Sequence, residues 1–158
     1  ITTPGSFGAN VSLDMEVVLA MWEKNLGIST EFQQTEFATF LKDLNKRRFQ
    51  MFDIGWIADY PDPENFLDIL FYSDSSNNHT NYNNPEVDAL LEKARVETDE
   101  TLRFSIYNEV EQTILDDAPW IPLWYSGERY LLVKPNVHDY LLTPLIIPKL
   151  RHVYLTDK

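Results

Sequence analysis

The chain has 158 residues and a formal net charge of −12, from 25 acidic and 13 basic side chains. Such a chain lacks the basic surface that binds phosphate groups, which argues against nucleic acid and anionic lipid as partners. A content of 44% hydrophobic and 13% aromatic residues predicts a folded domain with a real core. The absence of cysteine excludes disulfides, thiolate metal sites and a cysteine nucleophile.

The sequence shows neither a membrane span nor a signal segment. No apolar run approaches the roughly 18 to 20 residues that a spanning helix needs, and the start of the chain lacks the pattern of a secretory leader. Because the chain begins at Ile1 without a methionine, we expect a mature form or an excised piece.

Helix and strand patterns alternate over the first 56 residues. Ser12 is placed to cap a first helix, and Gly27 suits its left-handed C-terminal cap. Thr35 is predicted to cap a second helix, with apolar residues at the i, i+3, i+4, i+7 spacing of a buried face. Strand patterns at 1–3, 28–32 and 49–56 surround the two helices. This order predicts an α/β fold with a mostly parallel sheet covered by helices.

The second half is predicted to be mainly helical. After a polar loop at 73–84, Asn84 is expected to cap a helix whose first residue is Pro85. A longer helix should run from about Asp99 to Leu115. The inward positions of these two helices are Val87, Leu90, Leu91 and Ala94, then Leu102, Ile106, Val110 and Ile114. Two strands are predicted at 120–125 and 130–133.

The stretch from Gly55 to Leu67 is the strongest candidate for a binding site. A short apolar strand ends at Trp56, the carboxylate of Asp59 follows three residues later, and a proline-rich turn comes next. An aromatic ring beside an acid can bind a cation such as an ammonium group. The alternative is a core tryptophan followed by a turn-forming aspartate.

Catalytic and metal-binding patterns are weak. His79, His138 and His152 lack the spacing of a helical metal motif. An acidic series could offer oxygen ligands but lacks the alternation and the turn glycine of a calcium loop. Its members are Asp59, Asp62, Glu64, Asp68 and Asp74. We therefore expect solvated turn residues, no metal, no cofactor and no catalytic residue. The rival interpretation is a glycoside hydrolase that uses Asp59 and Asp62 as its carboxylate pair.

Several segments, in this order and at these spacings, resemble one known family. They are Met21–Ile28, Phe37–Leu44, Gly55–Pro63, Asn65–Leu67, Tyr82–Leu91, Asp117–Tyr125 and Val133–Pro135. Together they are similar to the C-terminal lobe of the family 5 extracellular solute-binding proteins, which include the oligopeptide and dipeptide receptors of ABC importers. The resemblance implies one lobe of a type II periplasmic-binding-protein fold and a receptor without catalytic activity.

The resemblance also implies roles for individual residues. In peptide-binding members the strand at Gly55, Trp56 and Ile57 pairs with the main chain of the ligand, and the acid at Asp59 receives its α-amino group. Some members carry an arginine before the Gly-Trp pair to bind the ligand carboxylate. This chain has Asp53 there, so the way in which it would hold that carboxylate stays open. Members that bind oligosaccharides or nickel complexes are the alternatives within the family.

The resemblance covers about the last third of such a receptor and predicts how the chain is organised. Residues 1–134 would form the C-terminal ligand-binding lobe, and residues 135–158 would return to a missing N-terminal lobe. The expected partners are a peptide or another amine-bearing ligand, that missing lobe and the membrane permease. The expected location is periplasmic or at the cell surface, as a lipoprotein or otherwise membrane-anchored full-length protein. The apolar segment 140–147 would fold back or mediate a dimer of the isolated piece.

Overall fold

The computed structural model describes residues 1–5, 12–125, 132–141 and 150–157. The chain forms two compact units, Ile1–Gly55 and Trp56–Lys158. Within the described ranges, no helix has the length and apolar character required to cross a membrane.

In the first unit, residues 1–5 and 12–55 form two short strands and two helices. The order is β1 (Thr2–Pro4), α1 (Leu13–Leu26), β2 (Gln33–Thr35) and α2 (Phe37–Asn45). β1 pairs with β2 in parallel, with Thr3 opposite Gln34. The predicted strand at 28–32 is therefore wrong, because the paired residues lie after it. Phe40 and Leu44 of α2 are fully buried, as the spacing predicted.

The predicted strand at 49–56 is wrong in length. It is reduced to one parallel bridge between Thr2 and Phe52. The Thr2 N–H donates to the Met51 carbonyl at 2.9 Å, and the Asp53 N–H donates to the Thr2 carbonyl at 3.1 Å. In this register the next donor on β1 would be Pro4, which has no N–H. The ladder therefore stops before Gly55.

Two of the three predicted caps in the first unit are confirmed. The Ser12 hydroxyl accepts from the Met15 N–H, and Gly27 has a φ of 67° at the end of α1. The cap at Thr35 is wrong, because Thr35 belongs to β2. Glu36 caps α2 instead, and its carboxylate accepts from the N–H groups of the second and third residues after it. These backbone hydrogen bonds lower the pKa of Glu36.

The described residues of the second unit form three α-helices, a short 3-10 helix at Leu150–His152 and a two-stranded antiparallel sheet. The α-helices and strands are α3 (Glu64–Phe71), α4 (Pro85–Val96), α5 (Glu100–Asp117), β3 (Val137–His138) and β4 (Tyr154–Leu155). Its buried core is formed by Leu70, Phe71, Val87, Leu91, Ala94, Ile106, Tyr107, Val110 and Ile114. The apolar faces predicted for α4 and α5 are confirmed, apart from Leu102, which is 55% exposed. The predicted Asn84 cap with Pro85 following it is also confirmed.

The polar loop between α3 and α4 is organised by one buried side chain. Asn78 is 1% exposed. Its Nδ2 donates to the carbonyls of Tyr72 and Tyr82, while its Oδ1 accepts from the Tyr82 N–H. The loop was predicted as irregular, which is confirmed. Asn78 bonds both ends of the loop, and the Ser73 N–H adds a hydrogen bond to Asp88 Oδ1 at 2.9 Å.

The two strands predicted after α5 are wrong as far as they are described. Residues 121–125 and 132–133 have no strand conformation, and residues 130 and 131 lie outside the described part. Pro119 and Pro122 remove backbone donors there, which disfavours a ladder. The β3–β4 pair, which was not predicted, lies within 135–158. The boundary between 134 and 135 stays a prediction.

Candidate functional site

The backbone before Asp59 is unpaired in the described structure. Among the described residues, the N–H and C=O groups of Gly55, Trp56 and Ile57 make no backbone hydrogen bond. Gly55 is exposed, and a Cβ placed on it would meet nothing within 4 Å. Ile57 is 45% exposed. These three residues therefore present free donors and acceptors to a partner strand.

Trp56 is held by the core of the second unit. Its ring is half-buried against the core cluster, and its Nε1 donates to Asn65 Oδ1 at 3.0 Å. In this geometry the indole supports the loop. The predicted second role, as an aromatic wall for a cation, stays a prediction.

Asp59 is exposed and its carboxylate is free. Its N–H donates to Asn65 Oδ1 at 3.2 Å, which fixes the backbone. No described residue donates to its carboxylate or forms an ion pair with it. The side chain is therefore accessible to an external cation, and its predicted role as a binding residue stays a prediction.

Asp62 lies three residues further on, and both oxygens of its carboxylate accept hydrogen bonds from other residues of the chain. Arg103 donates to both carboxylate oxygens, at 2.7 and 2.8 Å, and the Glu64 N–H donates to Oδ1 at 2.9 Å. The hydrogen bonds from Arg103 are the main reason that the pKa of Asp62 is lowered. The expectation that Asp62 is a solvated turn residue is wrong.

The same correction applies to Asp68 in α3. It is 7% exposed and binds Arg95 of α4 through two contacts of 2.7 Å. The Arg95 guanidinium also lies 4.2 Å from the centre of the Tyr72 ring. Arginine pairing thus distinguishes two acids of the series from Asp59, which the spacing of the acids in the sequence could not do.

Sequence reasoning missed Asn65, the residue that organises the site. Asn65 is fully buried in the first turn of α3, and its Oδ1 accepts from both Trp56 and Asp59. One signal was present in the sequence. Asn65 lies three residues before Asp68 and six before Phe71, which places a polar side chain on the buried face of α3.

The geometry offers little to a metal ion or to acid–base chemistry. Within the described ranges, no three His, Cys, Asp or Glu side chains converge as a metal site. Asp62 is held ionised by Arg103, so it is a poor proton donor for the glycosidase pair. His138 contacts Thr156 through Nε2 at 3.0 Å and stacks on Tyr154. His138 is far from Asp59 in the sequence, and no described contact joins the two residues.

Comparison with known proteins identifies the class. Residues 1–78 match the family described as bacterial extracellular solute-binding proteins, family 5 Middle. The oligopeptide-binding protein OppA of Bacillus subtilis is 31% identical over 142 residues, which cover 90% of this chain and 25% of that protein. The structure of OppA from Burkholderia pseudomallei matches with a TM-score of 0.81 and 29% identity, over 99% of this chain and 30% of that one.

The ligands given in the names of the relatives differ. The heme-binding protein A of Haemophilus influenzae is 31% identical over 131 residues, covering 82% of this chain and 24% of that protein. This chain spans about a quarter of the length of the curated relatives described here.

These matches define the class as solute-binding receptors of the α/β periplasmic-binding type. The chain belongs to family 5 of the bacterial extracellular solute-binding proteins. The predicted α/β fold class is confirmed by the structural match. The family consists of receptors rather than enzymes, which confirms the prediction of a non-catalytic protein. Its members act outside the cytoplasm, in agreement with the expected location.

Proposed function

We propose that this chain is the ligand-binding lobe of an ABC-importer receptor that captures peptides. The backbone of Gly55, Trp56 and Ile57 would pair with the main chain of the ligand, and Asp59 would hold the α-amino group. One observation supports this best: the exposed Asp59 carboxylate has no described partner and lies two residues after Ile57, the last of three residues with unpaired backbone groups.

Backbone pairing suits a receptor that accepts many sequences. An extended peptide added to a free strand edge gains affinity from main-chain hydrogen bonds that do not depend on its side chains. The backbone of Gly55, Trp56 and Ile57 has no strand conformation and no described partner, because β1 ends in Pro4, which stops the ladder after the bridge at Phe52. A peptide strand would supply the partner that the described protein residues do not.

Asp59 suits the amine because no described residue pairs with its carboxylate. A carboxylate without an internal arginine is free to form a charge-assisted hydrogen bond with an ammonium group. Asp62 cannot serve in its place, since Arg103 occupies both of its oxygens. The net charge of −12 adds a long-range attraction for a cationic end.

The remaining parts of the proposal concern the whole receptor. By its likeness to proteins about four times its length, this lobe would close on the ligand with an N-terminal lobe and deliver it to a membrane permease. Anchoring of the full-length receptor to the membrane belongs to the same proposal.

The test is a calorimetric titration of the full-length receptor with matched free and N-acetylated peptides. Asp59→Asn should weaken binding of the free peptide by about 2 to 5 kcal/mol, the usual cost of breaking a buried charge pair. Acetylated peptides should bind the parent receptor poorly, because they lack the ammonium group.

Asp74→Asn is the matched control. Asp74 is an exposed acid of the same series. Its replacement removes the same charge as Asp59→Asn but leaves the candidate site residues intact. It should leave both affinities unchanged. Equal affinity of the parent receptor for free and acetylated peptides would reject amine capture by Asp59. Binding of a sugar or metal complex in place of peptides would reject the ligand class.

A further inference from the structure

We propose that Asn65 is the positioning residue for amine capture, acting on the ligand through Trp56 and Asp59 without touching it. This inference rests on the proposed function. Asn65 is 0% exposed, so a ligand in the open site cannot reach it. Its effect on binding must pass through the two residues that it holds.

The carbonyl oxygen of Asn65 is shared by two donors. It accepts from Trp56 Nε1 at 3.0 Å and from the Asp59 N–H at 3.2 Å. The two donors bracket the loop that carries the candidate site, since Trp56 opens it and Asp59 carries the carboxylate. One buried atom therefore sets the distance between the aromatic ring and the acid.

The backbone that carries Asn65 is fixed by its neighbours. Asn65 lies in the first turn of α3, whose Leu70 and Phe71 belong to the core. The Asn65 N–H donates to the Asp62 carbonyl at 3.1 Å, and Asp62 is fixed by Arg103. The oxygen of Asn65 is therefore held by both the helix and the turn before it.

The orientation of the Asn65 amide follows from its partners. Turning the amide over would place an NH₂ group against two N–H donors, so the oxygen must face Trp56 and Asp59. The Nδ2 atom is buried and has no hydrogen-bond partner within the described part of the chain. The site thus uses only the acceptor of Asn65, although an unsatisfied buried donor is costly.

This asymmetry provides an isosteric rescue. Asn65→Asp retains an oxygen towards both donors and replaces the NH₂ group, which bonds to no described residue, by a second oxygen. Because the position is fully buried, the neutral carboxyl form is favoured, so the variant leaves no unpaired charge beside Asp59. Asn65→Leu keeps a similar volume but removes the acceptor. If Asn65 only filled space, the leucine variant would be the milder change. If it positions Trp56 and Asp59, the aspartate variant retains function and the leucine variant loses it.

The decisive readout is a ratio in the full-length receptor: Kd for an N-acetylated peptide divided by Kd for the same free peptide. This ratio measures amine capture and does not change when stability alone changes. We expect Asn65→Leu to reduce the ratio by about tenfold or more, the effect of losing one or two buried hydrogen bonds. Asn65→Asp should keep the ratio within about threefold of the parent value.

Asn78→Leu is the matched control for loss of stability. Asn78 is also buried and also bonds two stretches of backbone, but in the loop after α3. The control should lower the melting temperature and leave the ratio unchanged. A second readout needs no ligand: the indole N–H resonance of Trp56, assigned by its loss in Trp56→Phe. Its exchange with solvent should be faster in Asn65→Leu and near that of the parent in Asn65→Asp.

Each outcome decides the proposal. A parent-like ratio in folded Asn65→Leu would overturn it, as would collapse of the ratio in Asn65→Asp. If Asn65→Leu does not fold, Asn65→Ala, which removes the same acceptor without adding a branched side chain, is judged by the same criterion. Failure of the proposed function is recognised separately, since Asp59→Asn would then leave the ratio unchanged. A reduced ratio in Asp59→Asn but not in Asn65→Leu would reject only the role of Asn65.

Discussion

Asp59 and Asp62 are the same residue type three positions apart, yet the structure gives them opposite roles. Asp62 is held by an arginine 41 residues later in the chain, while the Asp59 carboxylate meets no described partner. The sequence predicted Asp59 from its local spacing after Trp56. It could not predict the pairing of Asp62, because that depends on how α5 packs beside the turn. Local patterns reveal candidates, and distant contacts decide which of them are free.

Tyr82 and Asp117 make a second pairing that only the fold reveals. The Tyr82 hydroxyl donates to Asp117 Oδ2 at 2.6 Å, and Asn84 Nδ2 donates to the same oxygen at 2.8 Å. Burial first, and then the bond to Asp117, raises the pKa of Tyr82 to about 12. The same bond from Tyr82 is the main cause of the lowered pKa of Asp117. The pair ties the start of α4 to the end of α5.

This pair predicts a dependence of stability on alkaline pH. Because the folded state keeps the Tyr82 proton up to about pH 12 while the unfolded state loses it near pH 10, the contribution of Tyr82 is complete below pH 10. It is then lost as the pH rises towards 12. Tyr82→Phe should lower the free energy of unfolding at neutral pH by roughly 1 kcal/mol. Between pH 10 and 12 the free energy of unfolding should fall less in the variant than in the parent, because the variant lacks the titrating hydroxyl.

The measurement is the melting temperature of both proteins across that alkaline range. Tyr72 and Tyr107, whose pKa values are also raised, are present in both proteins, so the difference between the two curves isolates Tyr82. Curves that stay parallel from neutral pH to pH 12 would contradict the assignment.

At the scale of elements, the sequence predicted helices well and strands poorly. α4 and α5 were predicted because their apolar positions repeat over three or more turns and a polar cap precedes each. The strand predicted at 1–3 is confirmed as β1, but the other strand predictions failed, because each observed strand has only two or three residues and depends on a partner distant in sequence. α3 was missed because its eight residues give only two turns of periodicity and follow a proline-rich turn.

The link between that turn and α5 gives an element-scale prediction. Arg103 binds Asp62 through two hydrogen bonds, also donates to the Ala94 carbonyl at 3.2 Å, and contacts the Tyr107 hydroxyl at 3.0 Å. Both partners of the ion pair are less than a third exposed. Arg103→Met should therefore destabilise the chain by roughly 1.5 to 3 kcal/mol, as measured by urea unfolding.

Arg48→Met is the matched control, because Arg48 pairs with Asp43 through a single contact and is 58% exposed. An exposed pair of this kind contributes about 0 to 1 kcal/mol to the free energy of unfolding.

A double-mutant cycle of Arg103→Met with Asp62→Asn should show a coupling energy of at least about 0.5 kcal/mol between Asp62 and Arg103. Equal losses in the two arginine variants, or independent effects of the Asp62 and Arg103 changes, would count against a structural link.

At the scale of the whole molecule, many large apolar side chains of the described residues are exposed to solvent. After α5 the exposed residues include Ile121, Trp124, Tyr125 and Leu132, the last two at 94% and 99%. The C-terminal segment partly covers itself, since β3 pairs with β4 and the Thr156 N–H donates to the Asn136 carbonyl at 3.0 Å. Leu141 is 68% exposed. Residues 142–147, the remainder of the apolar segment predicted to fold back or mediate a dimer, lie outside the described part.

We therefore expect the isolated chain of 158 residues to associate with rising concentration. Apolar surface without cover gains free energy when two copies bury it, at roughly 25 cal/mol per Å². Light scattering across concentrations should show an increasing mean mass, whereas the full-length receptor should stay monomeric. Tyr125→Lys combined with Leu132→Lys should suppress the association, because a buried unpaired charge is costly.

Val96→Lys is the control for a general effect of added charge. Val96 is 78% exposed on α4, away from this segment in sequence, and its replacement should leave the association unchanged. Suppression by Val96→Lys to the same degree would point to a general effect of an added charged side chain and against a specific apolar surface. A mass that stays monomeric at every concentration would show that the exposed side chains after α5 do not drive association, and that the chain tolerates them in water.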